Sequence, residues 1–511
     1  MGPKKRPAAT KSSLGKRPGK GELRYDVVIV GGGPAGSVLA WRLAREGVKV
    51  VILDRARFPR EKVCGDYVEP RGLRLLDKME CLRTLERTSP LPITHSATYV
   101  DGKLRYVGRI PFYGLRDDLP PHGYIIPRQT FDHLLLETAM NAGASAHQET
   151  YAEGFGAGRN GVKVKARRGG RRLVYRGHLV VGADGVNSVV ARSAGLLAED
   201  PRHIAVSQRA YADGFERDIG EATFFFDRDF FPGYGWVFPM SGGRVNLGVG
   251  VLLETCRRED IKVPQLFRDF LEKAKRSHPG CGKLRLSKPP IGGIVKTYGG
   301  AGPNYFNRGL LIGDAGSFVD PMTGEGITPA MESALIAARV ILEGFAAGRF
   351  DADSMSSYES EYRRYFDPSM IFLDLCAATL RNKRLCESWN RALVRGCQLA
   401  QKDADFAQTT GACFGGLEIS PSGILSQLWA HMACDLLAAG PQSVLEFVVG
   451  GASSGSFTLQ EMAGWMGNWW ASVWDDPLWH ARWTLDVQRK WIQTLSIMRR
   501  NSGDPRTEGL A

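Results

Sequence analysis

The chain has 511 residues, of which 43% are hydrophobic and 24% charged, and its 67 Lys+Arg against 54 Asp+Glu give a formal net charge of +13. This length predicts two to four domains, or one large enzyme core with an extension, and the apolar content excludes wholesale disorder. Residues 1–24 carry +7 of the charge and the rest only +6, and no nucleic-acid-binding motif is present, so a nucleic-acid partner is not predicted.

The basic segment 1–24 lacks the apolar run of a secretory signal and is rich in Lys, Pro, Gly and Ser, which predicts a disordered tail. A solvated leader or a tether to an anionic surface is favoured over a nuclear-import signal. The nine scattered Cys show no metal-ligand spacing, so they indicate reduced thiols in a cytoplasmic protein without a metal site. The sequence contains no run of 18 consecutive apolar residues, so no transmembrane helix is predicted.

A dinucleotide-binding pattern begins at residue 25. The apolar run YDVVIV predicts a buried parallel strand, and it is followed by a glycine turn, a helical segment ending near Gly47 and a second strand closing at Asp54. In such a turn Gly31 permits the tight bend, Gly33 lets the backbone approach a pyrophosphate, and Gly36 lets helix and strand pack closely. Asp54 is placed to accept hydrogen bonds from a ribose. NAD and FAD both fit this pattern.

Two later segments each place an Asp after an apolar strand. In residues 178–192 the strand leads to Asp184 and Gly185, and in residues 309–334 it leads to Gly313 and Asp314, then a Pro/Gly loop and a helix. The carboxyl ends of strands are where open α/β sheets bind ligands, and an Asp there can hold a ribityl hydroxyl. The helix that starts near Ile327 would stabilise negative charge at the edge of a flavin.

These three motifs, in this order, resemble the FAD-dependent oxidoreductases of the p-hydroxybenzoate hydroxylase type over residues 25–345. The resemblance implies FAD as cofactor and places Arg128, at the start of a helix in residues 124–144, near the flavin. Only one dinucleotide fingerprint is present, so the reductant, whether NADPH, NADH or a redox protein, is expected to dock transiently.

Two further segments resemble the geranylgeranyl reductase family. Residues 59–79 contain Lys62-x-Cys64-Gly65-Asp66, and residues 231–251 contain Pro232-x-Tyr234-x-Trp236-x-Phe238-Pro239 followed by Asn246-x-Gly248-x-Gly250. The resemblance implies that the first loop passes near the flavin and that the aromatic strand lines the substrate cavity. Alternation would put the three aromatic rings on one face of a sheet, either as an apolar slot for a prenyl chain or as part of a β-sheet core.

The predicted fold is an α/β Rossmann-like FAD-binding fold of the glutathione reductase or p-hydroxybenzoate hydroxylase type, with a mixed β-sheet substrate domain and a helical C-terminal extension. The FAD-binding segments are expected at about 25–95, 124–200 and 300–345, the substrate domain at about 96–123 and 201–299, and the helical region at 346–511. The candidate catalytic residues are Tyr234, Trp236 and Cys64. The candidate cofactor-binding residues are Gly31, Gly33, Pro34, Ala35, Gly36, Asp54, Arg55, Cys64, Gly65, Asp66, Arg128, Asp184, Gly185, Gly313, Asp314, Pro321, Gly324, Gly326 and Ile327.

The function expected from this resemblance is reduction of C=C bonds in an isoprenoid or similar apolar lipid by hydride transfer from reduced FAD, with Tyr234 and Cys64 as candidate proton donors. The alternatives are an FAD-dependent monooxygenase, a halogenase, which the missing first Trp of the W-x-W-x-I-P motif disfavours, and a non-catalytic FAD-binding partner protein.

The C-terminal region shows helical spacing. Tyr358, Tyr362, Tyr365 and Phe366 form one apolar stripe, and Phe372, Leu375, Cys376 and Thr379 are expected to continue it on a second helix. Seven of the 11 Trp fall between Trp465 and Trp491, on two predicted helices separated at 475–477. Packing of a helical cap is the favoured interpretation of these Trp, and peripheral contact with a membrane is the alternative.

Overall fold

The computed structural model describes residues 22–110, 119–197, 199–217, 219–299, 302–408, 423–427 and 457–501. The predicted basic tail therefore lies outside the described residues, except for its last three. The strands, in chain order, are β1 (Glu22–Arg24), β2 (Val27–Val30), β3 (Val50–Leu53), β4 (Tyr67–Val68), β5 (Pro92–Ile93), β6 (His95–Val100), β7 (Lys103–Arg109), β8 (Gly123–Ile125), β9 (Ser145–His147), β10 (Thr150–Gly158), β11 (Gly161–Arg168), β12 (Arg171–Gly177), β13 (Leu179–Gly182), β14 (Ile204–Asp213), β15 (Glu221–Phe226), β16 (Gly233–Met240), β17 (Arg244–Leu252), β18 (Arg285–Leu286), β19 (Ile291–Lys296), β20 (Tyr305–Phe306) and β21 (Gly309–Leu311).

The described α-helices are α1 (Pro34–Arg45), α2 (Pro70–Lys78), α3 (Leu82–Glu86), α4 (Arg128–Asn141), α5 (Val189–Ser193), α6 (Leu253–Arg258), α7 (Val263–Ser277), α8 (Ile327–Ala347), α9 (Ala352–Met355), α10 (Ser357–Leu380), α11 (Cys386–Ala400), α12 (Phe457–Asp475) and α13 (Pro477–Asn501). None of these helices combines the length and the apolar character needed to cross a membrane.

A parallel sheet forms the centre of the cofactor-binding half. Its strand order is β20-β21-β13-β2-β3-β9, and all neighbours pair in parallel except β20 and β21. Every residue of β2 and β3 is buried, because α1, α4 and α8 cover one face and the sheet β1-β12-β11-β10 covers the other. Such two-sided burial is why these strands are continuous Val/Ile/Leu runs.

The last three residues of the predicted tail are ordered. Glu22–Arg24 pairs in parallel with Val174–Arg176, and the Glu22 carboxylate accepts two hydrogen bonds from the Arg176 guanidinium at 2.8 and 2.6 Å. This correction has a physical cause, since a bidentate ion pair orders the end of an otherwise basic segment.

The second large sheet has the order β18-β14-β17-β16-β15-β6-β7, and β19 also pairs with β14. One face packs on α7 through Phe267 and Phe270. The predicted aromatic strand is β16. Its three aromatic rings lie on the opposite face, which is turned toward the cofactor-binding half. A small three-stranded sheet has the order β4-β8-β5.

The C-terminal helices pack on the core. The predicted apolar stripe lies on one continuous helix, α10, so the expected break between Phe366 and Phe372 is wrong. Pro368 lies inside α10, but both halves are anchored, since Tyr358 and Phe366 are buried against Phe318 and the second half is buried as well. The predicted break at 475–477 is confirmed by the boundary between α12 and α13.

A buried ion pair joins α13 to α10. Lys490 and Asp374 are each 5% exposed, and the ammonium group donates to the carboxylate. His203 Nδ1 lies 3.5 Å from the same carboxylate, but burial lowers the pKa of His203 to about 4, so this imidazole is neutral at neutral pH. Lys490 is therefore the charged partner of Asp374.

We expect Lys490→Met to lower the free energy of unfolding by about 3–5 kcal/mol, because it leaves the Asp374 carboxylate buried without its cation. Urea unfolding measures the change. Lys262→Met is the matched control, since the Lys262–Asp260 pair is 71% and 84% exposed and should change stability by less than about 1 kcal/mol. Equal effects of the two substitutions would contradict the account.

Candidate functional site

The turn between β2 and α1 requires glycine at two positions. Gly31 has φ +105°, and a Cβ built there would lie 2.2 Å from the Ala183 carbonyl oxygen. A Cβ on Gly36 would lie 1.9 Å from the Gly31 carbonyl oxygen. The turn is thus pressed against both its own helix and the segment after β13, the arrangement expected of a dinucleotide turn.

The N-terminus of α1 fits a pyrophosphate. No side chain caps this helix, and the guanidinium of Arg60 lies 3.5 Å from the place where a Cβ on Gly33 would stand. Free backbone N–H groups and a nearby cation together favour a bound anion. Asp54 shapes the same turn, because its carboxylate accepts hydrogen bonds from the N–H of Gly32 at 2.7 Å and of Ala56 at 2.8 Å.

The two later Asp residues have different surroundings. Asp184 accepts hydrogen bonds from the Ser188 hydroxyl and from the Val189 N–H at 2.7 Å. Asp314 pairs with Lys62, whose ammonium lies 2.8 Å from its carboxylate. Burial alone would raise the pKa of Asp314, but the charge of Lys62, with smaller effects from Arg128 and Arg60, holds it below its usual value. Asp314 is therefore an anion inside the cavity described next.

One cavity of about 860 Å³ joins the cofactor-binding half, the aromatic strand and the C-terminal helices. Of the candidate residues, those that line it are Pro34, Cys64, Gly65, Arg128, Tyr234, Trp236, Asp314, Pro321, Gly324, Gly326 and Ile327. Its other end is lined by apolar side chains, among them Phe372, Leu375, Leu380, Leu393, Phe406, Ile424, Val487 and Trp491. The cavity thus has a mixed polar end and an apolar end.

The remaining candidates lie outside this cavity. They are Gly31, Gly33, Ala35, Gly36, Asp54, Arg55, Asp66, Asp184, Gly185 and Gly313. Most belong to the turns beside β2 and β13, whereas Arg55 is exposed and Asp66 is wholly buried. The turn residues fit the distal half of a dinucleotide, and the cavity fits its reactive end.

Asn246 holds the Cys64–Asp66 loop against the aromatic strand. Its side-chain amide donates to the Cys64 carbonyl at 2.9 Å and to the Asp66 carboxylate at 2.8 Å. Its side-chain oxygen accepts a hydrogen bond from the Trp236 indole N–H at 3.0 Å. Asp66, at φ +63°, also accepts from the Tyr211 hydroxyl, so its side chain supports the loop and does not face the cavity.

The pKa of the Asp66 carboxyl lies close to neutral pH. Burial raises its pKa to about 6, although Arg209, Tyr211, Arg128 and Asn246 oppose this shift. Its buried Oδ1 atom has no hydrogen-bond partner among the described residues. The position of Asp66 in a network of three side chains indicates a positioning role for this residue.

The candidate proton donors are both neutral groups. Burial raises the pKa of the Cys64 thiol, although Arg128 opposes the shift, so Cys64 stays protonated. Burial and then the charges of Asp320 and Glu325 raise the pKa of Tyr234. The Tyr234 hydroxyl donates to the Thr323 carbonyl, so its proton is already engaged with the loop that carries Gly324.

Arg128 begins α4 and lines the cavity. Its guanidinium donates twice to the Asp132 carboxylate, at 2.7 and 2.8 Å, and Arg60 lies 3.1 Å from the same carboxylate. This buried pair fixes the guanidinium plane beside Cys64. Ile327, the first residue of α8, also lines the cavity, and this helix begins without a side-chain cap, so its free N–H groups would stabilise negative charge on a flavin.

Lys62 and Asn246 are site residues that were not predicted, although both belong to the segments that resemble the geranylgeranyl reductase family. The sequence feature that could have indicated Lys62 is its position in the motif, two residues before Cys64. For Asn246 the corresponding feature is its position two residues before Gly248. A Cβ on Gly248 would lie 2.3 Å from the Trp236 ring, so that glycine makes room for the indole that Asn246 orients.

We expect Asn246→Leu to lower the free energy of unfolding by about 2–5 kcal/mol and to weaken cofactor binding, because it removes the hydrogen bonds that Asn246 makes to the Trp236 indole, the Cys64 carbonyl and the Asp66 carboxylate. Unfolding in urea and titration of the apoprotein with the cofactor measure the two effects. The exposed Asn141→Leu is the control, and an equally small effect at both positions would show that the network does not hold the loop.

Comparison with known proteins identifies the scaffold. Residues 24–219 match the family described as FAD binding domain. The chain is 30% identical over 353 residues, 67% of this chain and 80% of the relative, to digeranylgeranylglycerophospholipid reductase 1 of Methanococcoides burtonii. It is also 30% identical to menaquinone reductase of Mycolicibacterium smegmatis, over 63% of this chain and 77% of the relative.

A solved structure has the same fold. The geranylgeranyl bacteriochlorophyll reductase-like protein of Thermoplasma acidophilum superposes with a TM-score of 0.67 at 23% identity, covering 80% of this chain and 96% of that one. The expected fold class and the expected FAD cofactor are confirmed by these matches. The chain belongs to the geranylgeranyl reductase family of FAD-dependent oxidoreductases.

Proposed function

We propose that this protein reduces C=C bonds of an isoprenoid lipid whose chain lies in the apolar end of the cavity. The observation that carries the proposal is the continuity of the cavity, which runs from the Cys64 loop and the Asp314 loop to the apolar faces of α10 and α11. A long apolar slot that opens onto the place of a flavin suits a prenyl chain better than a compact polar substrate.

The cofactor end has residues for each part of FAD. The turn at Gly31–Gly36 and Arg60 would hold the pyrophosphate, Asp54 the ribose, and Asp314 the ribityl chain, while Gly324, Gly326 and the start of α8 would face the flavin ring. When bound and reduced, FAD supplies the hydride for such a reduction. The chain's own residues supply orientation, exclusion of water and a proton.

The aromatic strand is suited to orient a chain of isolated double bonds. Trp236 and Phe238 are 6% and 5% exposed, and the hydrogen bond from Trp236 to Asn246 fixes its indole. Tyr234 is fixed by its bond to the Thr323 carbonyl. We assign these rings the role of holding a double bond in place, and Cys64 the role of a neutral contact beside it.

The names of the relatives support a polyisoprenoid substrate. One is a reductase of a digeranylgeranylglycerophospholipid and another a reductase of menaquinone. We therefore expect a substrate that carries a prenyl chain of several units. The assay below compares substrates with different head groups.

The proposal is tested by incubating the reduced protein with prenyl diphosphates, a prenylated glycerophospholipid and a prenylquinone, without and with oxygen. Gain of two hydrogens per double bond by mass spectrometry supports reduction. Gain of an oxygen atom would identify a monooxygenase, and incorporation of halide a halogenase. No change in any lipid, with FAD bound, would favour the non-catalytic alternative.

A variant in α11 tests the apolar end separately. Gly396 lines the cavity, and a Cβ built there meets no atom within 4 Å, so Gly396→Phe would project a ring into open space. We expect this variant to lower kcat/KM for a four-unit prenyl substrate in detergent by about 10-fold, while FAD affinity stays unchanged. The ring would occupy space that the prenyl chain needs, and overpacking of this kind costs about 1–3 kcal/mol.

The matched control is Gly467→Phe on α12. Gly467 is also a helical glycine with open space around it, but it does not line the cavity. It should retain the activity of the unmodified protein. Equal loss of activity in both variants, or none in Gly396→Phe, would contradict the placement of the prenyl chain.

We also propose that α12 and α13 contact a membrane surface from the cytoplasmic compartment. Trp474 is 80% exposed, Leu478 75% and Leu485 65%. Trp483, by contrast, is buried, and its indole N–H donates to the Ala378 carbonyl, so this Trp packs the helical cap onto the core.

Trp491 connects the exposed apolar surface to the proposed substrate slot, because it lines the cavity and is also partly exposed. A lipid bilayer is the occupant that would both cover this surface and deliver a prenyl lipid.

We expect Trp474→Glu and Leu478→Glu each to reduce binding to anionic phospholipid vesicles by about 10-fold, since each removes apolar area and adds repulsion. Met140→Glu, at another exposed apolar position, should leave vesicle binding unchanged. Co-sedimentation measures binding, and absence of binding by the unmodified protein would rule out the membrane contact.

A further inference from the structure

Two hydroxyl groups on the second large sheet face the cavity. Ser96 and Thr98 stand two residues apart on β6, so their side chains share one face of the sheet, and both line the cavity. Each residue is 9% exposed, and no hydrogen bond joins either hydroxyl to another described residue. A buried hydroxyl without a partner is costly, so both groups are available to a molecule inside the cavity.

Tyr106 adds a third hydroxyl group at the same edge of the sheet. It lies directly opposite Thr98 in the antiparallel pair of β6 and β7, so its partly buried ring is on the same face, and it also lines the cavity. Its hydroxyl likewise has no hydrogen-bond partner among the described residues. Three neutral groups that can donate and accept hydrogen bonds therefore line one edge of the cavity.

This edge lies away from the Cys64 loop. The strands from the aromatic strand to β7 are ordered β16-β15-β6-β7, and steps of about 4.8 Å put Tyr106 about 14 Å from Trp236 across the sheet. The end of α11 covers this edge, because the Gln401 side-chain amide donates to the Arg105 carbonyl at 2.9 Å. The three hydroxyl groups thus lie beneath the apolar lining of α11.

The charges of the cavity are at its other end. Among the described residues that line it, the charged ones are Lys62, Arg128 and Asp314. Both cations are already paired, since Lys62 lies 2.8 Å from Asp314 and Arg128 donates to the Asp132 carboxylate at 2.7 Å. A phosphate group beside the three hydroxyl groups would be buried without a cation, which is strongly unfavourable. An uncharged oxygen needs only the hydrogen bonds that these groups offer.

We propose that Ser96, Thr98 and Tyr106 form a subsite that binds an uncharged oxygen atom in the head group of the substrate, such as the hydroxyl of a prenyl alcohol. The inference rests on the proposed function, because it names the class of prenyl lipid that the cavity accepts. The same subsite selects against a head group that carries a phosphate.

The position of the subsite also determines which part of the prenyl chain reaches the flavin end. A head group about 14 Å from Trp236 keeps the double bond next to the oxygen at the β6–β7 edge. An internal double bond of the chain then lies beside the aromatic strand.

Binding to the FAD-loaded protein tests the subsite without turnover. Isothermal titration at a fixed detergent concentration compares a four-unit prenyl alcohol with the hydrocarbon and the diphosphate of the same chain. We expect the alcohol to bind about 10-fold more tightly than either. Hydrogen bonds favour the alcohol over the hydrocarbon, and burial of an unpaired charge disfavours the diphosphate.

A triple variant removes the hydroxyl groups with little change of shape. Ser96→Ala, Thr98→Val and Tyr106→Phe together should lower the affinity for the alcohol by about 10-fold. The affinity for the hydrocarbon should stay unchanged, which also verifies that the cavity is intact. Thr379→Val is the matched control and should bind the alcohol normally, because the Thr379 side chain lines the cavity but donates to the Cys376 carbonyl at 2.7 Å.

Single turnover with chemically reduced enzyme tests how the chain lies. The prenyl alcohol should be reduced first at an internal double bond, which fragmentation in mass spectrometry locates. The triple variant should spread the first reduction over several double bonds, because the head group is no longer held.

The outcomes separate the subsite from the proposed function. Equal affinity for the alcohol and the diphosphate, or unchanged affinity for the alcohol in the triple variant, would overturn the subsite. First reduction at the double bond next to the oxygen would overturn its position at the β6–β7 edge. If the unmodified protein reduces no prenyl lipid at all, the proposed function fails, and the binding measurements still decide whether the three hydroxyl groups hold an uncharged oxygen.

Discussion

The three hydrogen bonds of the Asn246 side chain are the interaction on which the site depends. They join a loop of the cofactor-binding half, through the Cys64 carbonyl and Asp66, to the aromatic strand, through Trp236. A buried amide is costly unless all its groups are paired, so this junction permits one arrangement of loop and strand. The cavity lies at that junction, and its shape follows from it.

Electrostatics divides the cavity into two parts. At the cofactor end, Lys62, Asp314 and Arg128 are charged and paired, and helix N-termini face inward. At the other end the lining from α10 and α11 is almost wholly apolar. A single space of this kind can hold a charged, hydrogen-bonded cofactor and a hydrocarbon chain in contact.

The cofactor-binding half could be predicted in detail from sequence because its constraints are local. The turn between strand and helix requires glycine at Gly31 and Gly36, because a Cβ at either position would lie within 2.2 Å of a backbone oxygen. The aromatic strand was predictable from alternation, since residues two apart share a face.

The contacts that define the rest of the site are long-range. Asn246 contacts Cys64, and Lys490 contacts Asp374, although the partners in each pair lie more than 100 residues apart, and no local sequence pattern indicates such contacts. The continuous α10 was missed for the same reason. Pro368 signals a break locally, whereas packing of both halves against the core keeps the helix intact.

We propose that the flavin ring and a prenyl chain share the cavity whose loop and aromatic strand Asn246 joins. The most direct test is a crystal structure of the FAD-bound protein soaked with a prenyl lipid. We expect the flavin ring to lie between the Cys64 loop and Gly324, with the prenyl chain running past Trp236 toward Phe372 and Leu393. A flavin that fills the whole cavity, or a lipid bound on another surface, would contradict it.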